Sequence, residues 1–232
     1  MLGIIVQLVI SWLIIWIFEK GNLNVLGLCP SRSRMTAFAL FFLVTGFCSA
    51  SQYFMRMFFA SEQWVLNPAL SSGLILEGIW WNVKSVLFEE LIFRGVLLYI
   101  LIKKLGPAKG VLISSIAFGI YHWFSHGVIG NPAQMVITFI TTGLMGMVYA
   151  YAYARTFSLY MPIAIHLGWN LVRSVIFSDA IIGNQLLVEV KPVPQVTVGF
   201  FLYFCIIYLP MLGAMVINFF MLKNIKQASP AL

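Results

Sequence analysis

Long apolar runs separated by short polar stretches form the main pattern of this sequence. Seven apolar segments can be drawn, at residues 2–18, 35–59, 73–104, 108–125, 132–154, 158–178 and 195–222. Turn-forming pairs such as Gly106-Pro107 and Asn131-Pro132 mark the breaks between them. At a rise of about 1.5 Å per residue, each segment approaches or spans a hydrocarbon core of about 30 Å. The pattern therefore predicts an all-α, polytopic membrane helix bundle of about seven transmembrane helices, within limits of about six to eight.

The composition places the chain in the membrane class. Hydrophobic residues make up 61% of it and charged residues 9%, whereas soluble domains contain roughly 45–50% and about 25%. No basic run interleaved with aromatic side chains occurs, so no nucleic-acid partner is predicted. No appended soluble domain is recognised. Residues 1–232 are therefore predicted to form a single membrane domain, with the lipid bilayer as a partner.

The loop charges predict the topology. Basic residues lie in alternate connections of the seven-span arrangement and at the C-terminus: Lys20, Arg32, Arg34, Lys103, Lys104, Lys109, Arg155, Lys223 and Lys226. Cytoplasmic loops carry an excess of Lys and Arg, so the N-terminus is predicted to lie outside and the C-terminus in the cytoplasm. Residues 62–72 are less apolar and are predicted to form an interfacial helix or a re-entrant turn.

Two adjacent carboxylates interrupt the segment 73–104. Glu89 and Glu90 are two of only 7 acidic residues in the chain, and Arg94 follows them. A charged side chain inside a membrane helix costs about 2.5–3.5 kcal/mol on insertion scales, so such residues are usually functional. Glu90 and Arg94 are four residues apart with the acid first, which is the favourable order for a helical ion pair. Glu89 is directed about 100° away from Glu90 around the helix and is the candidate for chemistry.

Three further polar residues lie inside apolar segments at comparable distances from the basic connections. Counting from the nearest such connection, Glu89 is 14 residues away, His122 is 13 and His166 is 11. At about 1.5 Å per residue, these separations predict depths of roughly 21, 20 and 17 Å. Asn170 lies one helical turn after His166 and shares its face. The similar depths predict that Glu89, His122, His166 and Asn170 converge on one buried pocket.

This set of side chains suits the attack of water on a carbonyl group. Apolar surroundings favour the protonated form of a carboxylate, which brings its proton transfer toward neutral pH. Glu89 and a histidine could hold a water molecule and accept its proton, while His166 and Asn170 could donate hydrogen bonds to the developing oxyanion. A metal site is an open alternative, because Glu89, His122 and His166 form a zinc ligand set with one position left for water.

The same residues resemble the motifs of a known family. Three motifs occur in its order, Glu89-Glu90-x-x-x-Arg94, Phe118-x-x-x-His122 and His166-x-x-x-Asn170. They look like those of the CPBP family, which contains the CAAX prenyl endopeptidases and the bacteriocin-processing and immunity proteins. The resemblance implies an all-helical intramembrane endopeptidase of a prokaryotic plasma membrane, with a catalytic core at about residues 73–178.

The resemblance also implies roles for the motif residues. Glu89 would be the water-activating carboxylate, with His122 as its partner. His166 and Asn170 would be oxyanion donors or supporting donors, and the Glu90–Arg94 pair would support the site. Members of the family have been described as metalloproteases and as metal-free glutamate peptidases, so either zinc or no cofactor is expected.

Structural interpretations stand beside these functional ones. The Glu90–Arg94 pair also fits a salt bridge that ties helices together, and this role is compatible with catalysis nearby. His122 and His126 have the spacing of a two-histidine metal pair but lack the His-Glu-x-x-His pattern. The Met-rich tract 135–147, which contains Gly143 and Gly146, predicts close helix packing.

Peptide-bond hydrolysis at the membrane is the predicted function. The expected substrate is a membrane-associated peptide or protein that is prenylated, bacteriocin-like or marked by a C-terminal sorting signal. A site roughly 20 Å from the cytoplasmic face favours exported substrates over cytoplasmic prenyl proteins. The alternative is a non-enzymatic immunity or binding protein with the same fold. A proton-coupled transporter would use the same buried acids as a relay, but no inverted repeat is recognised.

Overall fold

Long helices make up most of the chain in the computed structural model, which describes residues 1–179, 185–191 and 198–228. They are α1 (Leu2–Glu19), α2 (Arg32–Ala60), α3 (Ser72–Phe93), α4 (Val96–Leu105), α5 (Pro107–Ser125), α6 (Pro132–Thr156), α7 (Tyr160–Leu171) and α8 (Phe200–Asn224). A 3₁₀ helix (Leu23–Leu26) lies between α1 and α2, and a π-helix (Val172–Ile176) continues α7. Two short strands, β1 (Trp64–Leu66) and β2 (Leu187–Glu189), were not predicted. The predicted all-α membrane class is confirmed.

Local sequence explains where several helices begin. The side chain of Asn131 accepts a hydrogen bond from the backbone N–H of Gln134 at 3.2 Å, which caps the N-terminus of α6. Pro132 occupies the first turn, where its missing N–H costs nothing. Pro107 has the same place at the start of α5. The turn residues that separate the apolar segments therefore also start the helices.

Four described helices are long and apolar enough, by length and composition, to cross a membrane: α1, α2, α6 and α8. They support an integral membrane protein, and the predicted count of about seven spans stays a prediction. Helix α3 has 22 residues, which is enough to span at about 1.5 Å per residue. It carries Glu77, Lys84, Glu89 and Glu90, and these charges lower its hydropathy.

The interpretation of the apolar segment 73–104 as one helix is wrong, because the structure has two helices there. Helix α3 ends at Phe93 and α4 begins at Val96, with Arg94 and Gly95 between them. A Cβ atom on Gly95 would lie 2.1 Å from the carbonyl oxygen of Leu91, so only glycine fits this break. Apolar residues continue across the break, and a hydropathy pattern does not detect a local change in backbone conformation.

Residues 62–72 contain strand β1, so the prediction of an interfacial helix there is also wrong, and the alternative of a re-entrant turn stays a prediction. β1 pairs antiparallel with β2, and Val65 lies opposite Val188. Aromatic and β-branched side chains favour strands, but a partner so distant in the sequence is not visible in a local pattern. The first residues of the predicted segment 195–222 lie outside the described residues, and α8 begins at Phe200.

The chain divides into two compact units. Unit 1 consists of Met1–Phe38, Leu87–Ile163 and Phe219–Leu232, and unit 2 consists of Ala39–Val86 and Ala164–Asn218. The single membrane domain expected for residues 1–232 stays a prediction.

Unit 1 contains all of the basic residues that were used to predict the topology. At the end of α6, the Arg155 guanidinium donates hydrogen bonds to the backbone carbonyls of Lys223, at 3.1 Å, and of Ile225. At the end of α4, Lys103 forms an ion pair with Glu19 at the end of α1. These contacts hold basic helix ends against one another within the unit.

Unit 2 contains an ion cluster centred on Arg56, near the end of α2. The guanidinium contacts three carboxylates, those of Glu62 at 2.7 Å, Asp179 at 3.4 Å and Glu189 at 3.4 Å. The Tyr53 hydroxyl donates a hydrogen bond to Asp179 at 2.9 Å. The cluster therefore joins α2 to β2 and to the chain that follows the π-helix.

Stability should depend on pH through Glu189. Burial, and then the neighbouring Glu62 carboxylate, raises the pKa of the Glu189 carboxyl above its ordinary value of 4.5. The folded state therefore binds more protons than the unfolded state in this range, and the contribution of Glu189 to stability falls as the pH rises through it. We expect Glu189→Gln to raise the melting temperature slightly at pH 8 and to leave it unchanged at pH 4.

Thermal unfolding of the detergent-solubilised protein at both pH values checks this expectation. Glu77→Gln, which replaces an exposed acid of α3, is the matched control. A lower melting temperature for Glu189→Gln at pH 8 would contradict the prediction, since it would mean that attraction to Arg56 outweighs repulsion from Glu62.

Candidate active site

Glu89 and His122 lie side by side in unit 1. The Oε2 atom of Glu89 is 4.0 Å from the Nε2 atom of His122, and the two side chains are 13% and 10% exposed. Glu89 lies near the C-terminal end of α3, and His122 lies in the last turn of α5. The separation is too long for a direct hydrogen bond and leaves room for one bridging water molecule.

A backbone carbonyl fixes the imidazole of His122. Its Nδ1 atom is 2.8 Å from the carbonyl oxygen of Phe118, one helical turn earlier. Because a carbonyl oxygen can only accept, Nδ1 carries the proton in this contact. In the neutral ring Nε2 is then an acceptor, and it faces Glu89. A water molecule between the two side chains would find an acceptor for each of its hydrogens.

The Glu90–Arg94 pair lies beside this site. Arg94 Nη1 is 3.2 Å from Glu90 Oε1, and neither side chain is exposed. Arg94 Nη2 donates a hydrogen bond to the carbonyl of Gly146 in α6, at 3.1 Å. The guanidinium carbon lies 4.0 Å from the ring centroid of Phe118 in α5. Arg94 therefore connects the end of α3 to α5 and α6, and it packs on the residue whose carbonyl orients His122.

Gly146 leaves the space that Arg94 and Phe118 occupy. A Cβ atom there would lie 2.8 Å from Phe118 Cδ1 and 3.0 Å from Arg94 Nη2. The close helix packing predicted at this glycine is therefore confirmed. The sequence did not show that the glycine also serves the ion pair, because this depends on the crossing of α6 with α5.

We expect Gly146→Ala to lower the free energy of unfolding by about 1–3 kcal/mol, because the added methyl group overpacks a buried contact. Any activity that depends on the orientation of His122 should fall with it, since Phe118 would move. Gly143→Ala is the matched control, because a Cβ atom there would lie 3.6 Å from the Ser115 carbonyl oxygen, an ordinary contact. Denaturant unfolding in mixed micelles measures both variants, and equal destabilisation of the two would contradict the argument.

His166 and Asn170 lie on α7, in unit 2. His166 is buried, and the carbonyl of Asn170 accepts a hydrogen bond from the Ser174 hydroxyl at 2.6 Å. Between them, Gly168 brings α7 into close contact with α2, because a Cβ atom there would lie 2.4 Å from the Phe42 carbonyl oxygen. The convergence of His166 and Asn170 with the Glu89–His122 pair stays a prediction.

The depth argument for that convergence is valid only for His122. Helix α5 is unbroken between Lys109 and His122, so a rise of about 1.5 Å per residue applies. The chain from Glu89 to the basic end of α4 crosses the break at Gly95, and the chain leading to His166 crosses the α6–α7 connection. Residue counts across such breaks do not measure depth.

In the part of the chain that the structure describes, no group of three or more His, Cys, Asp or Glu side chains is placed to hold a metal ion. Glu89 and His122 supply two donors, whereas catalytic zinc sites usually have three protein ligands. The His126 ring packs edge-on against His122, with 5.0 Å between the ring centroids. These two donors by themselves therefore do not make up a catalytic zinc site.

The fold and this site define a helical membrane protein with a buried carboxylate–imidazole pair. Residues 71–172 match the family described as type II CAAX prenyl endopeptidase Rce1-like. All three motifs lie inside the matched segment, and the match confirms the predicted resemblance to the CPBP family of CAAX proteases. The family implies a peptidase that acts on a peptide or protein substrate and is associated with a membrane. No curated protein and no solved structure matched the chain.

Proposed function

We propose that this protein hydrolyses a peptide bond in a membrane-associated peptide or protein, using a water molecule held between Glu89 and His122. The observation that carries the proposal is the 4.0 Å separation of their facing Oε2 and Nε2 atoms, both in a largely buried site. Glu89 Oε2 and His122 Nε2 can each accept one hydrogen bond from the water molecule, and the water oxygen then keeps a lone pair for attack on the carbonyl carbon. Peptidase activity is the reaction class that the family implies.

The reaction needs one proton acceptor that becomes a donor. As the water oxygen bonds to the scissile carbonyl carbon, Glu89 takes a proton from the water and His122 Nε2 holds its second hydrogen. The tetrahedral intermediate then collapses, the C–N bond breaks, and Glu89 delivers its proton to the leaving amine. Water is thereby divided between the new carboxyl group and the new amino group.

His166 and Asn170 are the proposed donors to the oxyanion. The imidazole N–H and the side-chain amide N–H of these residues are suitable donors, and removal of one such donor costs about 10²–10³ in kcat. The Glu90–Arg94 pair is proposed to support the site through its contact with Phe118.

The proposed substrate class follows the family description. A prenylated protein or peptide with a C-terminal CAAX sequence is the first candidate, because the matched family is named for that substrate. Bacteriocin-like peptides and C-terminal sorting signals are the other candidates. The predicted preference for exported substrates is not retained, since it rested on the depth argument.

We also propose that two basic helix ends of unit 1 face the cytoplasm of a prokaryotic cell. One is the end of α1 at the Glu19–Lys103 pair, and the other is the end of α8 beside Arg155. The N-terminus would then lie outside and the C-terminus inside, by the excess of Lys and Arg in cytoplasmic loops. Protease protection of terminal epitope tags in intact cells tests this orientation, and a protected N-terminal tag would contradict it.

A comparison of membrane peptidomes from wild-type and Glu89→Gln cells tests the proposed function. The wild type should contain new termini that the variant lacks at equal expression. An identical set of termini would contradict peptidase activity. It would favour the alternative, an immunity or binding protein, whose phenotype should survive Glu89→Gln.

A further inference from the structure

We propose that the outer edge of β1 binds the peptide substrate as an additional β-strand. This inference rests on the proposed peptidase function and assigns to it a substrate-binding segment in unit 2. Strand addition is a common mode of peptide recognition, because it uses main-chain hydrogen bonds that any extended peptide can make.

The register of the two strands shows which backbone groups are directed outward. The backbone N–H of Asn67 donates to the carbonyl of Leu186 at 2.9 Å, and that of Val190 donates to Gln63 at 2.8 Å. Hydrogen-bonded pairs alternate along an antiparallel ladder, so Val65 also exchanges its bonds with β2. Between these pairs, Trp64 and Leu66 direct their N–H and C=O groups away from β2. Within the described residues, no other backbone segment pairs with this edge.

The side chains of β1 favour an apolar occupant. Leu66 is 63% exposed and Val65 is 46% exposed, whereas the residues of β2 are half-buried. An extended segment of a membrane-associated substrate is rich in apolar side chains, and on β1 it would cover both of these residues. An apolar, extended peptide is therefore the occupant that this edge suits.

Several contacts hold the small sheet in place before any peptide binds. The Trp64 ring packs edge-on against Phe177 and Tyr53, with centroid separations of 5.4 Å and 5.5 Å. Arg56 reaches β2 through Glu189. A two-stranded sheet is only marginally stable by itself. These anchors supply a preformed template, which reduces the ordering cost of binding.

The sheet is also attached to the element that carries the proposed oxyanion donors. The backbone N–H of Leu186 donates to the carbonyl of Val175 at 3.0 Å. Val175 belongs to the π-helix, which directly continues α7 after Asn170. π-Helical turns are rare and occur frequently at functional sites. β1 is therefore linked, through β2 and Leu186, to the segment that follows Asn170, and a peptide bound on β1 would be linked to the same segment.

The substitution Leu66→Pro, compared with Leu66→Ala, tests the outward backbone N–H of β1 separately from the side chain. Leu66→Pro removes an outward N–H and no bond to β2, and proline is tolerated at such edge positions. We expect Leu66→Pro to raise KM about tenfold for a fluorogenic, prenylated CAAX peptide, with kcat within about twofold, because one main-chain hydrogen bond is lost. Leu66→Ala is the matched control, because it also truncates the apolar side chain but keeps the N–H, and its KM should stay clearly below that of Leu66→Pro.

A second experiment changes the peptide instead of the strand. Peptides in which one amide is replaced by an ester lose an N–H donor, and at one or two positions the ester should weaken binding to wild type and to Leu66→Pro alike, because proline keeps the outward carbonyl group. Fluorescence anisotropy measures this binding even without turnover, so a failure of the proposed chemistry is distinguishable from a failure of the strand proposal. Equal KM values for Leu66→Pro and Leu66→Ala would overturn the proposal. So would a change in oligomeric state without a change in peptide binding, which would make the edge a contact between copies.

Discussion

Replacement of Glu89 by glutamine is expected to lower kcat by about 10²–10⁴-fold, the usual contribution of a general base. Glutamine keeps the size of the side chain and can hydrogen-bond a water molecule, but it cannot take its proton. KM should change little, because the loss is confined to the transition state. The purified protein and a fluorogenic, prenylated CAAX peptide provide the measurement, with the melting temperature recorded in parallel.

Two comparisons make the Glu89 result specific. Glu77→Gln removes another carboxylate from the same helix at an exposed position and should leave kcat unchanged. Glu89→Asp keeps the base but shortens the side chain, which widens the 4.0 Å gap to His122 and should give an intermediate loss. If Glu89→Gln retained half of the wild-type kcat, the assigned mechanism would be wrong.

For the stretch from Glu89 to Arg94, the sequence predicted the side-chain ion pair but did not predict the backbone conformation that follows it. The spacing of Glu90 and Arg94 predicts an i,i+4 pair, and the structure contains it. Polar side chains in apolar helices are costly, so their positions in the sequence are informative about function. The helix break at Gly95 had a visible signal, a glycine next to the motif, but the unbroken hydropathy on both sides concealed it.

Contacts between distant segments account for most of what the sequence could not predict. The β1–β2 pair joins residues far apart in the chain, and the site of Gly146 depends on how α6 crosses α5. Phe118 was recognised only as part of a motif, whereas in the structure its carbonyl orients His122 and its ring receives Arg94. Such double roles come from three-dimensional packing, which a pattern along one helix does not contain.

Phe118 also explains how a fully buried ion pair can affect the proposed hydrolysis. Arg94 packs on the Phe118 ring, and the Phe118 carbonyl holds the proton on His122 Nδ1. The acceptor role of Nε2, which faces Glu89, therefore depends on the position of Phe118. The structural and the functional interpretations of the Glu90–Arg94 pair are thus parts of one arrangement, and a variant of Arg94 should affect both stability and kcat.

Substitution of Arg94 is expected to cause the largest loss of stability. Arg94→Leu should lower the free energy of unfolding by about 3–5 kcal/mol, because it removes the cation beside a fully buried Glu90 carboxylate. The double variant Glu90→Gln with Arg94→Leu removes both charges and should be less destabilised than the sum of the two single variants, with a coupling of about 1–3 kcal/mol. Unfolding of all four proteins in mixed micelles gives this cycle.

The exposed Lys103–Glu19 pair of the same unit is the control for the cycle. Water screens an exposed pair, so Lys103→Leu, Glu19→Gln and their combination should show little coupling. Additive losses at Glu90 and Arg94 would mean that the buried pair contributes no specific interaction. In that case, a fall in kcat for Arg94→Leu would have to come from the lost contacts of Arg94 with Gly146 and Phe118. Arg94→Lys would then return the charge but would not restore kcat, because lysine cannot make the same contacts.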